Sequence, residues 1–192
     1  MTQSTSVINP TLNGFEPAAL NELAQAVATD DKQGKMAFHV STDWVNGAQS
    51  VSSIKSLKFG NETIERNFTL TVDEPEEVGG TNAGANPQEL LLTAVNTCLL
   101  TTFNMLCTLE GIQLKKVSVE SHGYLNLRGF FGMDEAIVPG CQSIDWTLSV
   151  QGDGTKEQFQ QVYEAAIAAS PNLWNLANPV KVVPHLRIEA AD

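Results

Sequence analysis

The chain has 192 residues, a formal net charge of -11 and a pI near 4.6, with 42% hydrophobic and 17% charged residues. That is enough for one domain with a sizeable core, with or without an arm. The acid excess argues against a nucleic-acid binder, which needs a clustered basic face, and against an anionic membrane surface as partner.

In chain order, residues 1–14 read as a flexible arm. They lack the basic start and apolar run of a signal peptide. Glu16 to about Thr29 reads as an amphipathic helix with Leu20, Leu23, Ala24 and Val27 on one face and Pro17 in the first turn. Residues 1–35 are therefore expected to form an arm plus helix, and residues 36–192 the main domain. Three strand-like runs follow: Met36–Trp44, Val51–Phe59 and Thr63–Val72. Asn46-Gly47 and Gly60-Asn61 mark the turns between them. In the third run, alternation puts Ile64, Phe68, Leu70 and Val72 on one face.

After an acidic, glycine-rich loop (residues 73–85), Asn86-Pro87-Gln88-Glu89 opens a long helix predicted to reach about Glu110, with Gly111 at its C-cap. The stretch from Leu90 to Cys107 has no charge and is long enough to span a membrane. Its Thr93, Asn96, Thr97, Thr101, Thr102 and Asn104 are too many polar groups for a lone span, and the buried centre of a fold is the simpler reading. Strands are expected at Leu114–Ser121 and Gln142–Val150, with an irregular segment from Gly123 to Gly140 between them. Thr155 and Gln158 form a capping box for a helix to about Ala169, interrupted by Ser170-Pro171-Asn172, and a last strand is expected near Val180–Val183.

This order gives an α+β fold, with antiparallel sheets wrapped around a long buried central helix. One chain supplies too little cover for a helix apolar on every side, so an intertwined homodimer is expected.

The cysteines are Cys98, Cys107 and Cys141. An odd number without an export signal suggests free thiols in a reducing cytoplasm. Cys98 and Cys107 are nine positions apart on one helix, about 180° apart in azimuth, so they cannot pair. Cys107 reads as a small buried hydrophobe, and Cys141 as a tolerated thiol at a strand start. With no CxxC and with His39, His122 and His185 scattered, no metal site or resident cofactor is expected. Cys98 is either packing or a placed nucleophile. It sits more than three turns into its helix, beyond the reach of the helix dipole, so activation needs a group from another element.

Asn86-Pro87-Gln88-Glu89-Leu90-Leu91-Leu92 with Ala94 and Cys98 resembles the central-helix motif of the OsmC/Ohr family, the osmotically inducible and organic-hydroperoxide-resistance proteins. Asp73-Glu74-Pro75, Gly79-Gly80-Thr81-Asn82, Ser170-Pro171 and Asn178-Pro179-Val180 extend the likeness over about residues 36–183. The resemblance implies an intertwined homodimer with a thiol site at its interface. It also implies reduction of organic hydroperoxides or peroxide by a central-helix cysteine, here Cys98, reset by an external thiol or dithiol.

At the other positions this chain departs from the pattern. The family's second cysteine falls at Ser170, and its glutamate at Gln88. Its arginine falls near Ala48 and Gln49, which leaves Lys55, Arg66 and Arg128 as candidate cations. Glu89 lies on the far side of the helix from Cys98 and reads as the capping-box partner of Asn86. The expected function is thus a one-cysteine, thiol-dependent peroxidase with Gln88, Ser170 and Arg128 as supporting residues. The alternative is a catalytically degenerate dimer that binds a small apolar ligand at its interface.

Overall fold

The computed structural model describes residues 10–189. It contains a packed body, formed mainly by the second half of the chain, and a sheet that stands away from it. The body is built on α2 (Pro87–Leu109), β5 (Leu114–Gly123), β6 (Ile144–Gly152), α4 (Lys156–Ala169) and α5 (Pro171–Ala177).

Helix α2 begins where the sequence places it. Asn86 Oδ1 accepts from the Glu89 backbone N–H at 2.8 Å, and the Asn86 N–H donates to Glu89 Oε2 at 2.8 Å. Pro87 fills the first turn, where a missing N–H costs nothing. At the other end Gly111 takes φ 72°, which favours a residue without Cβ. Its N–H donates to Thr108 O, and that of Ile112 to Cys107 O.

The core stripe of α2 is Val95, Leu99, Phe103 and Cys107, spaced four apart on one face. It packs with Ile112, Val162, Ala166 and Leu173, and the apolar face of the β5–β6 hairpin closes over it through Val117, Val119, Trp146, Leu148 and Val150. Phe103 and Phe159 stack at 6.5 Å between ring centroids. This stripe is the covered part of α2; Leu91, Thr93, Ala94, Thr97 and Thr101 on other sides are exposed. Within one chain, then, the central helix is covered on one side only; the sequence reading expects a single chain to fall short in this way, with cover on every side only in a homodimer. By length and composition α2 could cross a membrane; one side of it is the core of this body.

The other sheet comprises β1 (Met36–Phe38), β2 (Ser41–Asn46), β3 (Gln49–Phe59) and β4 (Glu62–Val72), all antiparallel. Strand β3 is central, with β1 and β2 on one edge and β4 on the other. The first predicted strand is broken at His39–Val40 into β1 and β2.

A second correction concerns β4. Phe68 pairs with Ile54 but Glu65 with Ser56, so β4 carries one extra residue there, with Asn67 at φ 55°. A one-residue bulge flips the faces on its two sides. Ile64, opposite Leu57, therefore lies on the other face from Phe68 and Leu70. Both faces of this sheet leave large apolar side chains in the open, with Phe38 73%, Trp44 74% and Phe68 52% exposed.

The loop from Asp73 to Ala85 joins this sheet to α2. Asp73 is 1% exposed. Its carboxylate accepts from the N–H groups of Glu74 (2.9 Å), Thr81 (3.0 Å) and Ala83 (3.1 Å), and from Thr81 Oγ1 at 2.6 Å. The Thr81 hydroxyl bond, aided by the backbone bonds and opposed by desolvation, holds this carboxyl down at about 2. The loop winds so tightly that a Cβ on Gly80 would strike Glu74 O, and one on Gly84 would strike Thr71 O.

The N-terminal segment departs from expectation at residues 10–15; residues 1–9 lie outside the described range. Leu12 and Phe15 bridge across an Asn13-Gly14 turn with φ 53° and 84°. The Asn13 side chain enters the junction between α2 and β5: Nδ2 donates to Thr108 Oγ1 (3.1 Å) and Ile112 O (2.8 Å), and Oδ1 accepts from Leu114 N at 2.8 Å. Helix α1 (Pro17–Thr29) follows where predicted, with no buried residue. The segment between β5 and β6 contains a short helix, α3 (Leu127–Phe130). After α5 no strand forms at Val180–Val183; Val182, Leu186 and Ile188 stand exposed. A strand needs a hydrogen-bonded neighbour, and none lies beside this segment among the described residues.

Candidate functional site

Cys98 lies near the middle of α2, about 100° around the axis from the Leu99 core stripe. It is half-buried and free. The flank it occupies is covered by the start of α5. Ser170 is fully buried, and its hydroxyl donates to Cys98 Sγ at 3.3 Å. Asn172 Nδ2 donates to the backbone oxygen of Ala94, one turn before Cys98, at 2.9 Å. Thr102 Oγ1 donates to the Cys98 carbonyl at 2.9 Å, satisfying the backbone within the helix. A serine at a helix N-cap ordinarily accepts from a backbone N–H of the first turn. Ser170 is the N-cap of α5 and makes no such bond. Its hydroxyl is directed at sulfur instead.

Of the supporting residues expected from sequence, Ser170 is beside the thiol and the others are not. Gln88 is exposed in the first turn of α2, ten residues before Cys98 and so about 15 Å away along the axis. Arg128 is at α3, where its Nη2 lies 3.7 Å from Asp134 Oδ2 in an open ion pair. Arg66 rests 4.9 Å above the Phe68 ring in the outlying sheet. Glu89 is in the capping box, as its azimuth indicated. Ala48 and Gln49 sit in the β2–β3 turn and its exit. Among the described residues, the hydrogen-bond partner of the Cys98 sulfur is neutral.

The remaining thiols separate cleanly. Cys107 is 0% exposed, and burial pushes its thiol up to about 11. It is an inert core atom. Cys141 is half-buried at the exit of the β5–β6 segment, where its Sγ would lie 3.2 Å from a Cβ placed on Gly123. Among the described residues there is no cluster of His, Cys, Asp and Glu able to hold a metal.

Asn172 escaped the sequence reading. Its signal was present: a Ser-Pro-Asn triplet is a helix start as well as an interruption, and the side chains of such a start face whatever it packs on. A groove of about 600 Å³ between β6 and α4, lined by Phe103, Trp146, Leu148, Phe159 and Tyr163, is also present; Cys98 does not line it.

The profile of the OsmC-like protein family matches residues 80–184, which include α2, Cys98 and Ser170. The uncharacterised Bacillus subtilis protein YmaD is 27% identical over 95 residues, 49% of this chain and 57% of that protein. The chain thus spans little more than half the length of that relative. In fold, an OsmC-like protein from Mycoplasma pneumoniae aligns with a TM-score of 0.58 at 14% identity, covering 73% of this chain and 87% of its own. An OsmC-like protein of unknown function from Vibrio cholerae aligns with a TM-score of 0.53 at 10% identity, covering 71% and 91%. The matched segment exceeds half of the sequence and takes in the whole helical body, so the chain belongs to the OsmC-like protein family.

Proposed function

We propose that this chain is a thiol-dependent peroxidase that reduces organic hydroperoxides through Cys98 in oxidative-stress defence. It works as a homodimer in a reducing cytoplasm. The observation that carries this reading is the placement of Cys98: a half-buried thiol in the family's matched helix, met by a buried hydroxyl that donates to its sulfur. Peroxide reduction requires a thiolate with room for one oxygen, and a polar donor beside it. An external thiol or dithiol resets the enzyme, and no resident cofactor takes part. The homodimer is supported by the open side of α2 and the apolar faces of β1–β4, which find no cover within one chain.

The test is hydroperoxide consumption by the wild-type protein and Cys98→Ser in the presence of dithiothreitol. Consumption that persists unchanged in Cys98→Ser refutes the reading.

A second reading is favoured by the neutral partner of the Cys98 sulfur, with Gln88 exposed in the first turn of α2 and Arg128 turned to Asp134. A degenerate dimer would bind a small apolar molecule at its interface, with Cys98 as lining. It expects no peroxide turnover, together with saturable binding of a hydrophobic dye that a bulky Cys98→Phe substitution abolishes.

A further inference from the structure

We propose that Ser170 is the positioning residue of this site. Its hydroxyl holds the Cys98 sulfur first as thiolate and then as sulfenate, so the oxidised form persists until a low-molecular-weight thiol attacks it. The inference rests on the peroxidase reading above and adds to it the means of stabilisation and the class of the second reactant.

Three observations carry it. Ser170 has no exposure to solvent, so its hydroxyl cannot turn to water. A buried hydroxyl must spend its proton on a protein acceptor, and the one it uses is Cys98 Sγ at 3.3 Å. The capping bond usual at its position is also given up. The backbone is fixed as well: Ser170 N–H donates to Ala166 O at 2.9 Å, and its carbonyl accepts from Trp174 N at 3.0 Å. With Asn172 bound to Ala94 O, the start of α5 cannot swing away from Cys98 without breaking a second bond.

The chemistry follows from what this donor can and cannot do. The Cys98 thiolate attacks the outer oxygen of a hydroperoxide. An S–O bond forms and the O–O bond breaks; sulfur loses two electrons, and the alkoxide takes a proton and leaves as the alcohol. A hydroxyl at Ser170 continues to donate to the new sulfenate oxygen or to sulfur, but it cannot form a disulfide. A small thiol then attacks the sulfenic sulfur, releasing water and leaving a mixed disulfide. A second molecule of that thiol frees Cys98 and departs as the external disulfide.

The experiment uses the full-length protein, Ser170→Ala and Ser170→Cys, with site-resolved mass spectrometry of Cys98. In the first arm, iodoacetamide alkylation is followed from pH 6 to 10. Loss of one hydrogen bond to a charged acceptor should slow Ser170→Ala about tenfold at pH 7, with rates converging at high pH. Identical profiles overturn the proposal.

In the second arm, each protein is treated with cumene hydroperoxide and then with dimedone or glutathione. The wild type should give a dimedone adduct and a glutathione mixed disulfide. Ser170→Cys should instead close an internal disulfide between Cys98 and the introduced thiol, which shows that the two positions are in bonding reach. Absence of that disulfide in a folded Ser170→Cys variant overturns the proposed contact. Should wild-type Cys98 resist oxidation while the alkylation difference holds, the peroxidase reading fails, the sulfenate step falls with it, and the donor role of Ser170 stands.

Discussion

Asn13 offers a sharp test of how the N-terminal segment contributes to stability. Its amide forms three hydrogen bonds at the α2–β5 junction, two donated to Thr108 Oγ1 and Ile112 O and one accepted from Leu114 N. At a net of about 1 kcal/mol each, losing them should cost about 2–4 kcal/mol, because Thr108 is buried and Leu114 half-buried where water compensates poorly. The backbone at Asn13 is left-handed, φ 53°. Glycine accepts that conformation freely; alanine pays about 1 kcal/mol more. Asn13→Gly therefore isolates the hydrogen-bond contribution, and Asn13→Ala adds backbone strain. The assay is urea unfolding at one fixed protein concentration, followed by circular dichroism. With an m-value of about 2 kcal/mol/M, Asn13→Gly should lower the midpoint by about 1–2 M and Asn13→Ala by about 0.5 M more. A shift below about 0.3 M in Asn13→Gly would show that the segment is not part of the cooperative unit, and that these three bonds merely replace equivalent ones to water.

Two further outcomes are expected. Asp73 is held well below the ordinary carboxylate value by its hydrogen bonds, so its contribution to stability is complete above about pH 4 and is lost as pH falls towards about 2. The stability gap between wild type and Asp73→Asn, measured by urea titration, should be constant between pH 7 and 5 and shrink between pH 4 and 2; a gap that widens in acid contradicts the assignment. Phe68→Asp puts a charge on an apolar sheet face that is open in the single chain. In the proposed homodimer this face is covered, so sedimentation velocity should report a dimer for the wild type and a monomer for Phe68→Asp, while a variant that stays dimeric moves the interface elsewhere.

The parts legible in the sequence were those set by short-range chemistry. The boxes Asn86/Glu89 and Thr155/Gln158 state their helix starts through a three-residue spacing, and Gly111 states the end of α2. Ser170 was located through the family motif, and the structure places it against Cys98. The illegible parts depended on partners distant in sequence. Alternation in β4 gave the wrong face for Ile64 because a bulge at Asn67 leaves no mark in hydrophobicity. Val180–Val183 has strand propensity but no neighbouring strand among the described residues, and propensity cannot supply one. Asn13-Gly14 is a turn signal, yet nothing in residues 1–14 indicates that its side chain reaches residues about a hundred positions away. The cations were the least legible: a guanidinium can reach in many directions, and Arg128 and Arg66 found local partners instead of the thiol.

The bulge in β4 also bears on how the chain avoids sticking to others of its kind. Strand β4 is an edge, eleven residues long; among the described residues its outer side is paired only at its end, where Val72 bridges Ala85. A straight edge of that length is a template on which any extended chain can add. The left-handed Asn67 divides it into two shorter runs, Glu62–Glu65 and Phe68–Val72, and twists one out of line with the other. Glu62, Glu65 and Arg66 place charge on the first run and at the break. During synthesis, before any cover is available, a passing strand can match the apolar run for only five residues. Straightening the kink by deleting Asn67 would lengthen the continuous ladder and favour fibrous aggregation, even if every contact in the folded body were kept.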